Sequence, residues 1–531
     1  MKAIPIQTTL KAALGCLAAM LLLSGCAAVG PDFKKPDLPT PEGWLETADP
    51  RLSTEEGDYR DWWKSFADPA LEALIQRAYQ DNLALEIAGL RVYEARAQLG
   101  VAVGTLYPQR TQAYLSYEYF NLSENAEPIS YLPPLVQEGV KTDFSNYRLG
   151  FGTVWELDFW GKFRRIVEAA DASLAAQIAA YDTVLVTVTG ELASAYILLR
   201  TLEQQLEVAR SNADIQRRSA EIADVRRRNE LASELDVVQA EVQLKNTEAS
   251  IPRLEAALRE VENALSMLLG AAPGEVRTII GGAADIPATP TSVAVGLPAD
   301  LLRRRPDIRQ AEYLAAFQSA RIGITKAELY PSFRLGGTIG YAAEDLSDLF
   351  KGGSVAGLFG AGFSWNILNF GRIKNRVRAN DARFQQALAN YEAVLLNALR
   401  EVENAQNGFL RAQEEVALLA GASQTARRAV DLALVRYSDG IADFTRVLTA
   451  QRALELQEGR LTDARGRVAR NLIDIYRALG GGWQIREGED FIPADAKDAM
   501  RERTNWGDLL EAGAVEPVPE AERGRWRAPD R

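Results

Sequence analysis

The stretch Trp155-Glu-Leu-Asp-Phe-Trp-Gly161-Lys162 opens a segment that the chain contains twice. It returns 210 residues downstream as Trp365-Asn-Ile-Leu-Asn-Phe-Gly371-Arg372. The two copies stay in step without a gap until they end at Gly270 and Gly480. A repeat of this length predicts two structurally similar halves, so it takes precedence over every local signal.

Each copy continues into an unusually long helical pattern. Apolar residues recur at alternating steps of four and three from Leu174 to Ala213, and again from Phe384 to Leu419. No proline interrupts residues 162–229 or 372–440. This spacing keeps one apolar seam on a supercoiled helix, and at 1.5 Å per residue each run would reach roughly 100 Å. On the heptads alone, a cytosolic coiled-coil rod is an open alternative.

Composition removes several classes of function. The chain has 531 residues, a net charge of −12 and no histidine, and its only cysteines are Cys16 and Cys26. Without histidine there is no Ser-His-Asp or Cys-His catalysis and no histidine-ligated metal. The acidic balance argues against nucleic acid as a partner. We therefore expect no enzyme, no metal and no cofactor, with a carboxylate-only hydrolase as the one enzymatic alternative.

The N-terminus has the pattern of a bacterial lipoprotein. Two lysines precede an apolar run over residues 14–23, which is too short for a permanent membrane helix but suits a signal peptide. The run ends in Leu23-Ser24-Gly25-Cys26, which resembles a lipobox and predicts a signal peptide over residues 1–25 with lipidation at Cys26. Ala27 and Ala28 follow instead of the aspartate that retains lipoproteins in the inner membrane. We therefore expect the outer membrane of a Gram-negative bacterium.

A different period precedes each long helix. Residues 147–157, 333–341 and 359–367 alternate between an apolar or aromatic face and a face of glycine and polar residues, and residues 112–120 do so less regularly. Such alternation predicts membrane-barrel strands, with lipid on one face and water on the other, although half-buried strands of a soluble sandwich alternate too. The lipoprotein signal favours the barrel.

Four strands in two hairpins are too few to close a barrel. An open sheet edge in hydrocarbon would leave backbone groups unpaired, so other copies of the chain must complete the barrel in multiples of four strands. Eight strands would leave an interior filled by side chains, whereas twelve or more leave room for water. The sequence thus predicts an oligomer without choosing its size.

Turn and cap signals divide the chain further. Asp68-Pro69 starts a helix with an N-cap and a proline at its first position, and the helical pattern runs to about Gly104 with a break near Asp81-Asn82. The predicted organisation is a linker over 26–68, a first repeat over 69–270 with hairpins at 108–157 and 160–270, a linker over 271–297, a second repeat over 298–482 with hairpins at 331–367 and 371–480, and a tail over 483–531.

Several short motifs occur together in this chain. They are Cys26 in its lipobox, Val29-Gly30-Pro31-Asp32-Phe33, the Tyr-Pro pairs at 107–108 and 330–331, Asp158-Phe159-Trp160-Gly161-Lys162, Asn369-Phe370-Gly371-Arg372, Arg303-Arg-Arg305-Pro306-Asp307-Ile308 and Ala478-Leu-Gly-Gly-Gly-Trp483. As a set, over residues 26 to 485, they resemble the TolC-type outer-membrane efflux proteins, in particular the lipidated NodT-like branch.

The resemblance implies a mainly α fold with a membrane β-barrel. It implies a homotrimer in which a twelve-stranded barrel continues into a long α-helical coiled-coil tunnel across the periplasm, built on an internal two-fold repeat. It further implies a periplasmic adaptor, an inner-membrane pump, expected to be of RND type, and outer-membrane lipid as partners.

At the inner end of the tunnel the resemblance implies a gate. Asp236 on the first helical hairpin would bond Tyr437 and Arg452 of the second, and charge-assisted bonds of this kind hold yet can be exchanged. Without the resemblance, Asp236 would only cap a helix and Arg452 would be solvated.

The expected pore constriction comprises Asp439, Asp443, Thr445 and Thr449. Here the chain departs from the family, since Leu448-Thr449-Ala-Gln-Arg452 has threonine where the family has a pore-lining aspartate. Three threonines cannot attract cations as a ring of carboxylates would. Two alternatives stay open for the nearby Asp439 and Asp443, which either supply negative charge to the pore or face the adaptor.

The sequence therefore predicts the outer-membrane channel of a tripartite efflux system, a passive exit duct for small molecules. The alternative with the same fold is the exit duct of a type I protein-secretion system. From another class, a structural helical fibre or adhesin of the envelope would lack the barrel.

Overall fold

The structure is a computed structural model. It describes residues 28–511 apart from 56, 124, 126, 128, 132 and 138, and also residues 513, 515 and 527–529. The predicted signal peptide and the predicted lipidation site Cys26 lie outside the described residues.

The two repeats have the same order of elements. The first comprises α1 (Pro69–Asp81), α2 (Leu83–Gly104), β1 (Arg110–Asn121), β2 (Asp143–Leu157), α3 (Lys162–Arg228) and α4 (Glu234–Leu268). The second comprises α5 (Pro306–Ala327), β3 (Ser332–Ala343), β4 (Val355–Ser364), α6 (Arg372–Ser438) and α7 (Phe444–Ala478), and the tail adds α8 (Ala494–Arg503). Shorter helices include Val276–Ile280 and Leu301–Arg304, and Leu52–Ser53 pairs in parallel with Val293–Ala294.

The long helices α3 and α6 dominate the molecule. Each has 67 residues and therefore spans about 100 Å. Both begin after a glycine in the left-handed region, Gly161 at φ 75° and Gly371 at φ 80°, where a side chain would be strained. The return helices α4 and α7 have 35 residues each, or about 50 Å. The equal lengths show that the repeat extends to the tertiary structure.

The helices form one layer. Near the sheet its order is α2, α3, α5, α6, and farther from the sheet it is α4, α3, α7, α6. Among the described helices, α3 contains a window apolar enough to cross a membrane, but 61% of that window is buried. Its apolar side chains, including Leu185, Leu192 and Ile197, belong to the main core. The hydropathy of α3 is therefore that of a core helix.

The four long strands form a single antiparallel sheet in the order β1, β2, β3, β4. The outer edges of β1 and β4 pair with no other strand in the described part of the chain. The expectation that the last strand reaches Ile367 is wrong, because its ladder ends where Ser364 pairs with Ser332. The central strand β2 has partners on both sides and runs on to Leu157. Edge strand β4 has one partner, and beyond Ser364 the chain bends, with Ile367 N donating to Trp365 O at 2.9 Å.

The described segments that precede α1 and follow α7 both pack against the helical layer. The N-terminal segment docks through Asp32, which pairs with Arg165 at 2.6 Å. In the C-terminal segment, Arg486 pairs with the fully buried Asp182. Phe491 packs edge-on against Tyr181 with ring centroids 5.1 Å apart. These contacts make a strap that holds the layer together between the sheet and the far end.

Gly89 of α2 provides a test of the strap. A Cβ at this position would lie 2.0 Å from the carbonyl oxygen of Phe491, which cannot be accommodated without moving the strap backbone. We expect Gly89→Ala to release the strap, so that trypsin cuts the folded, detergent-solubilised protein faster at Arg501 and Arg503.

Gly104, at the end of the same helix, is the matched control because a Cβ there meets nothing within 4 Å. Equal cleavage rates in Gly89→Ala and Gly104→Ala would contradict the account of the strap.

Candidate functional site

One face of the sheet is apolar. Residues paired across antiparallel strands lie on the same face, and the register aligns Leu115 with Leu149, and Leu149 with Tyr341. The same face carries Phe151, Trp155, Leu335, Ile339, Phe359 and Phe363. Several of its large side chains are exposed, among them Phe151 at 65% and Phe359 at 79%. A wide apolar surface on exposed strands is what contact with lipid requires.

The opposite face is small and polar. It carries the charged side chains of the strand interiors and six glycines, at 150, 152, 336, 340, 360 and 362. The ring of Tyr114 lies over two of them, since a Cβ on Gly150 would come within 2.9 Å of its hydroxyl. This face has the composition of a water-filled lumen.

The junction between sheet and helices contains the same hydrogen bond twice. The indole of Trp155 donates to Leu106 O at 3.2 Å, and that of Trp365 donates to Leu329 O at 2.9 Å. Each bond ties the end of a strand to the Leu-Tyr-Pro turn of its own repeat, so both repeats enter the sheet in the same way.

Trp160 contacts the second repeat, whereas its counterpart in the second repeat has no equivalent contact within the described protomer. Trp160 stacks on Tyr330 at 4.7 Å and donates to Pro331 O at 2.8 Å. Its counterpart Phe370 is 97% exposed at φ 50°. A bulky aromatic residue left in solvent in this conformation indicates a surface that another subunit covers.

The far end of the helices consists of two equivalent turns. Leu231 N donates to Arg226 O at 2.8 Å and Ile441 N donates to Arg436 O at 2.9 Å, which is the six-to-one bond of a Schellman motif. The return helices then start at N-caps. The Ser233 hydroxyl accepts from Asp236 N in the first, and the Asp443 carboxylate accepts from Arg446 N at 3.2 Å in the second.

A small core joins the two turns, which together form the tip. Tyr437 of α6 is its largest buried side chain at 3% exposure, and it packs edge-on against Phe444. Burial raises the pKa of the Tyr437 phenol and the Asp236 carboxylate raises it further, while Arg226 acts in the opposite direction. The Asp236 carboxylate thus lies near the phenol, but the buried Tyr437 hydroxyl makes no hydrogen bond within the described protomer.

Arg226 of the first hairpin contacts the second hairpin at the tip. It lies over the Tyr437 ring at 4.9 Å and donates to Ser438 O at 2.6 Å. Sequence reasoning missed this residue. The available signal was a basic residue in the last turn of a helix, which complements the helix dipole and does not reveal a contact with another hairpin.

The other predicted gate residue, Arg452, has a different partner in this protomer. Its Nε donates to Gln243 Oε1 at 2.9 Å, and Gln243 in turn donates to Glu455 at 3.0 Å. Asp236 and Arg452, both in the described part of the chain, make no ion pair with each other. The structure thus brings Asp236 and Tyr437 together and places Arg452 farther along the return helix.

The residues of the expected constriction lie on the exposed surface of the tip. Thr445 and Thr449 are one helical turn apart on α7, and the Thr449 hydroxyl donates to Thr445 O at 2.8 Å. Asp439 is the C-cap of α6 and Asp443 the N-cap of α7. Within the described residues, no group of three or more acidic, cysteine or histidine side chains could hold a metal ion.

Comparison with known proteins agrees with this geometry. The family described as "Outer membrane efflux protein" matches residues 74–271 and 297–481. The chain is 29% identical to nodulation protein T of Rhizobium leguminosarum bv. trifolii, over 87% of this chain and 96% of that one. It is 28% identical to the pyoverdine export outer membrane protein OpmQ of Pseudomonas aeruginosa, over 89% and 97% of the two chains. A solved structure of the outer-membrane channel OprN covers 86% of this chain and all of its own, at 32% identity and a TM-score of 0.80.

The chain belongs to the outer membrane efflux protein family. The predicted fold class is confirmed: a mainly helical trimeric channel with a membrane barrel and a long helical tunnel. The protein is an outer-membrane efflux channel whose tunnel extends into the periplasm. The family works with an adaptor and an inner-membrane pump.

Arg226→Ala tests the contact between the two hairpins at the tip. The change removes a hydrogen bond and a cation–π contact, together about 2 kcal/mol. Amides of residues 436–441 should then exchange hydrogen roughly tenfold faster or more, measured by mass spectrometry of peptides from the tip.

Arg228→Ala is the matched control, because Arg228 pairs with Asp224 of its own helix and its side chain is 70% exposed. If both variants exchange at the wild-type rate, Arg226 does not hold the second turn.

Proposed function

We propose that this chain is the passive exit duct of a tripartite efflux system for small molecules, fed by an RND-type inner-membrane pump through a periplasmic adaptor. One observation carries the proposal: a single protomer joins an open four-stranded sheet with a lipid-type face to helices of 67 residues. The sheet crosses a membrane only as part of a closed barrel. Helices of about 100 Å extend that barrel across an aqueous compartment.

The export of small molecules is favoured over protein secretion. The relative OpmQ is named for the export of pyoverdine, a small molecule. The predicted lipid anchor points the same way. In such a duct the energy for transport comes from the partner pump. The channel supplies a water-filled path whose width and charged groups determine what passes.

The tip acts as the gate in this proposal. Asp236, Tyr437 and Arg452 hold the two hairpins in the closed arrangement, Asp236 beside Tyr437 and Arg452 through Gln243, and Arg226 adds a contact on the Tyr437 ring. Asp439, Asp443, Thr445 and Thr449 form the constriction. An adaptor that docks on residues 226–236 and 437–446 competes for these contacts, so the hairpins separate when it engages.

Lipid on Cys26 anchors each subunit beside the barrel. Val29 N donates to Trp160 O at 3.0 Å, and Ala28 lies against Gly161 where the sheet meets α3. Ala28, the second residue after the predicted lipidation site, therefore lies where the sheet meets the helices. The ion pair between Asp32 and Arg165 then connects the lipidated N-terminal segment to α3.

Planar-bilayer recording tests the duct and its gate together. We expect the double variant Asp236→Ala with Arg452→Ala to conduct more often than the wild type, because the gate loses its carboxylate and one of its two arginines. The control is Asp214→Ala with Arg217→Ala, which also removes one acid and one base, but from a part of α3 away from the tip turn, where Arg217 bridges Asp214 and Glu248.

Absence of conductance in every form would contradict the proposed function. Sensitivity of a deletion strain to small toxic compounds, with protein secretion unchanged, is the result expected for efflux.

A further inference from the structure

The inner face of the sheet carries more positive than negative charge. The strand register places three arginines on this face, Arg110, Arg148 and Arg334, against two glutamates, Glu118 and Glu156. On the apolar face of the four strands, Asp143 at the end of β2 is the only charged residue. The difference of three cations and two anions leaves one positive charge per subunit on the inner face.

The excess is concentrated where the sheet joins the helices. Glu156 accepts from Lys162 at 3.0 Å and from Arg334 at 3.4 Å, so one carboxylate faces two cations. Arg110 pairs in register with Val154, one step along the same face, and is exposed without an ion pair among the described residues. We call Arg110, Lys162 and Arg334, with Glu156 between them, the basal ring.

The remaining acids of this junction do not cancel the excess. Asp158 pairs with Arg164 at 3.1 Å, and Glu328 pairs with Arg376 at 2.6 Å. Each of these carboxylates therefore has its own arginine. The basal ring keeps three cations for one carboxylate, which is two positive charges per subunit.

Glycine leaves the guanidinium of Arg334 accessible. On the inner face its neighbours across the two ladders are Glu156 and Gly362, and the latter has no side chain to cover it. The Arg334 side chain is accordingly 54% exposed. A guanidinium in this position presents several donors to a passing carboxylate or phosphate.

We infer that the basal ring makes the barrel selective for anions, so that the cargo of the proposed duct consists of small organic molecules with a carboxylate or phosphate group. This inference rests on the proposed function. Three subunits bring three copies of the ring around one lumen. Rings of arginine and lysine favour anions in pores, and the low-dielectric wall of the barrel focuses their field.

The tip has its own charges. Thr449 carries none, but the proposed constriction also includes Asp439 and Asp443, which place two carboxylates per subunit there. The basal ring is therefore tested with both aspartates changed to asparagine, which is uncharged and can still cap a helix.

The reversal potential of the channel tests the inference. The form recorded carries Asp236→Ala, Arg452→Ala, Asp439→Asn and Asp443→Asn, in a bilayer with a potassium chloride gradient near 0.1 M, where the screening length is about 10 Å. All four changes lie at the tip end of the helices, so the charge of the basal ring is unchanged. We expect chloride to permeate better than potassium, and the added change Arg110→Glu to bring the permeability ratio below one.

Arg110→Gln is the second variant, because it removes the charge without placing a carboxylate beside Glu156. It should lower the ratio by a smaller amount than Arg110→Glu. Arg503→Glu, an exposed site on α8 outside the sheet, makes the same charge change as the first variant and should leave the ratio unchanged.

Preference for potassium in the unmodified ring would overturn the inference. The inference would also be overturned if Arg110→Glu changed the permeability ratio no more than Arg503→Glu does. Conductance itself reports on the proposed function and the permeability ratio reports on the ring, so the two proposals can fail separately.

Discussion

The backbone of a sheet edge cannot remain unpaired in lipid, and this constraint governs the whole molecule. Edge strands β1 and β4 each present a row of N–H and C=O groups with no partner within the described protomer, and each such group would cost several kcal/mol in hydrocarbon. The same sheet presents exposed aromatic side chains on one face, which excludes a stable place in water. A closed barrel formed with the sheets of neighbouring subunits in a membrane pairs the edges and places the aromatic face against lipid. Because the helices follow directly from the strands, they must then form a ring as well.

The internal repeat shows how one chain supplies a near-symmetric ring. Indole-to-carbonyl bonds occur in both copies at the junction, and matching turns occur in both at the tip. The two copies differ at positions where the first repeat packs against the second and the second repeat is exposed to solvent. Trp160 stacks on Tyr330 whereas Phe370 is exposed, and Asp158 caps α3 through Phe163 N at 3.0 Å whereas Leu368 at the equivalent position is 84% exposed. These differences mark the surface on which the next subunit packs.

Much of this architecture could be predicted from the sequence, because it depends on local periodicity. Proline-free heptads gave the extent of α3 and α6, Asp68-Pro69 gave the start of α1, and alternation gave the strands. The end of β4 was missed, since it depends on whether a partner strand continues the ladder beyond Ser364. The contacts of the tip were harder still. Which partners Arg226 and Arg452 find on the other hairpin depends on how the helices are rotated about their axes, and heptad spacing does not fix that rotation for polar positions.

Native mass spectrometry of the protein extracted in mild detergent tests the central claim most directly. The account predicts one dominant species with the mass of three subunits, each lacking residues 1–25 and carrying lipid on Cys26. A single subunit as the dominant species would contradict it, because one four-stranded sheet cannot seal a pore.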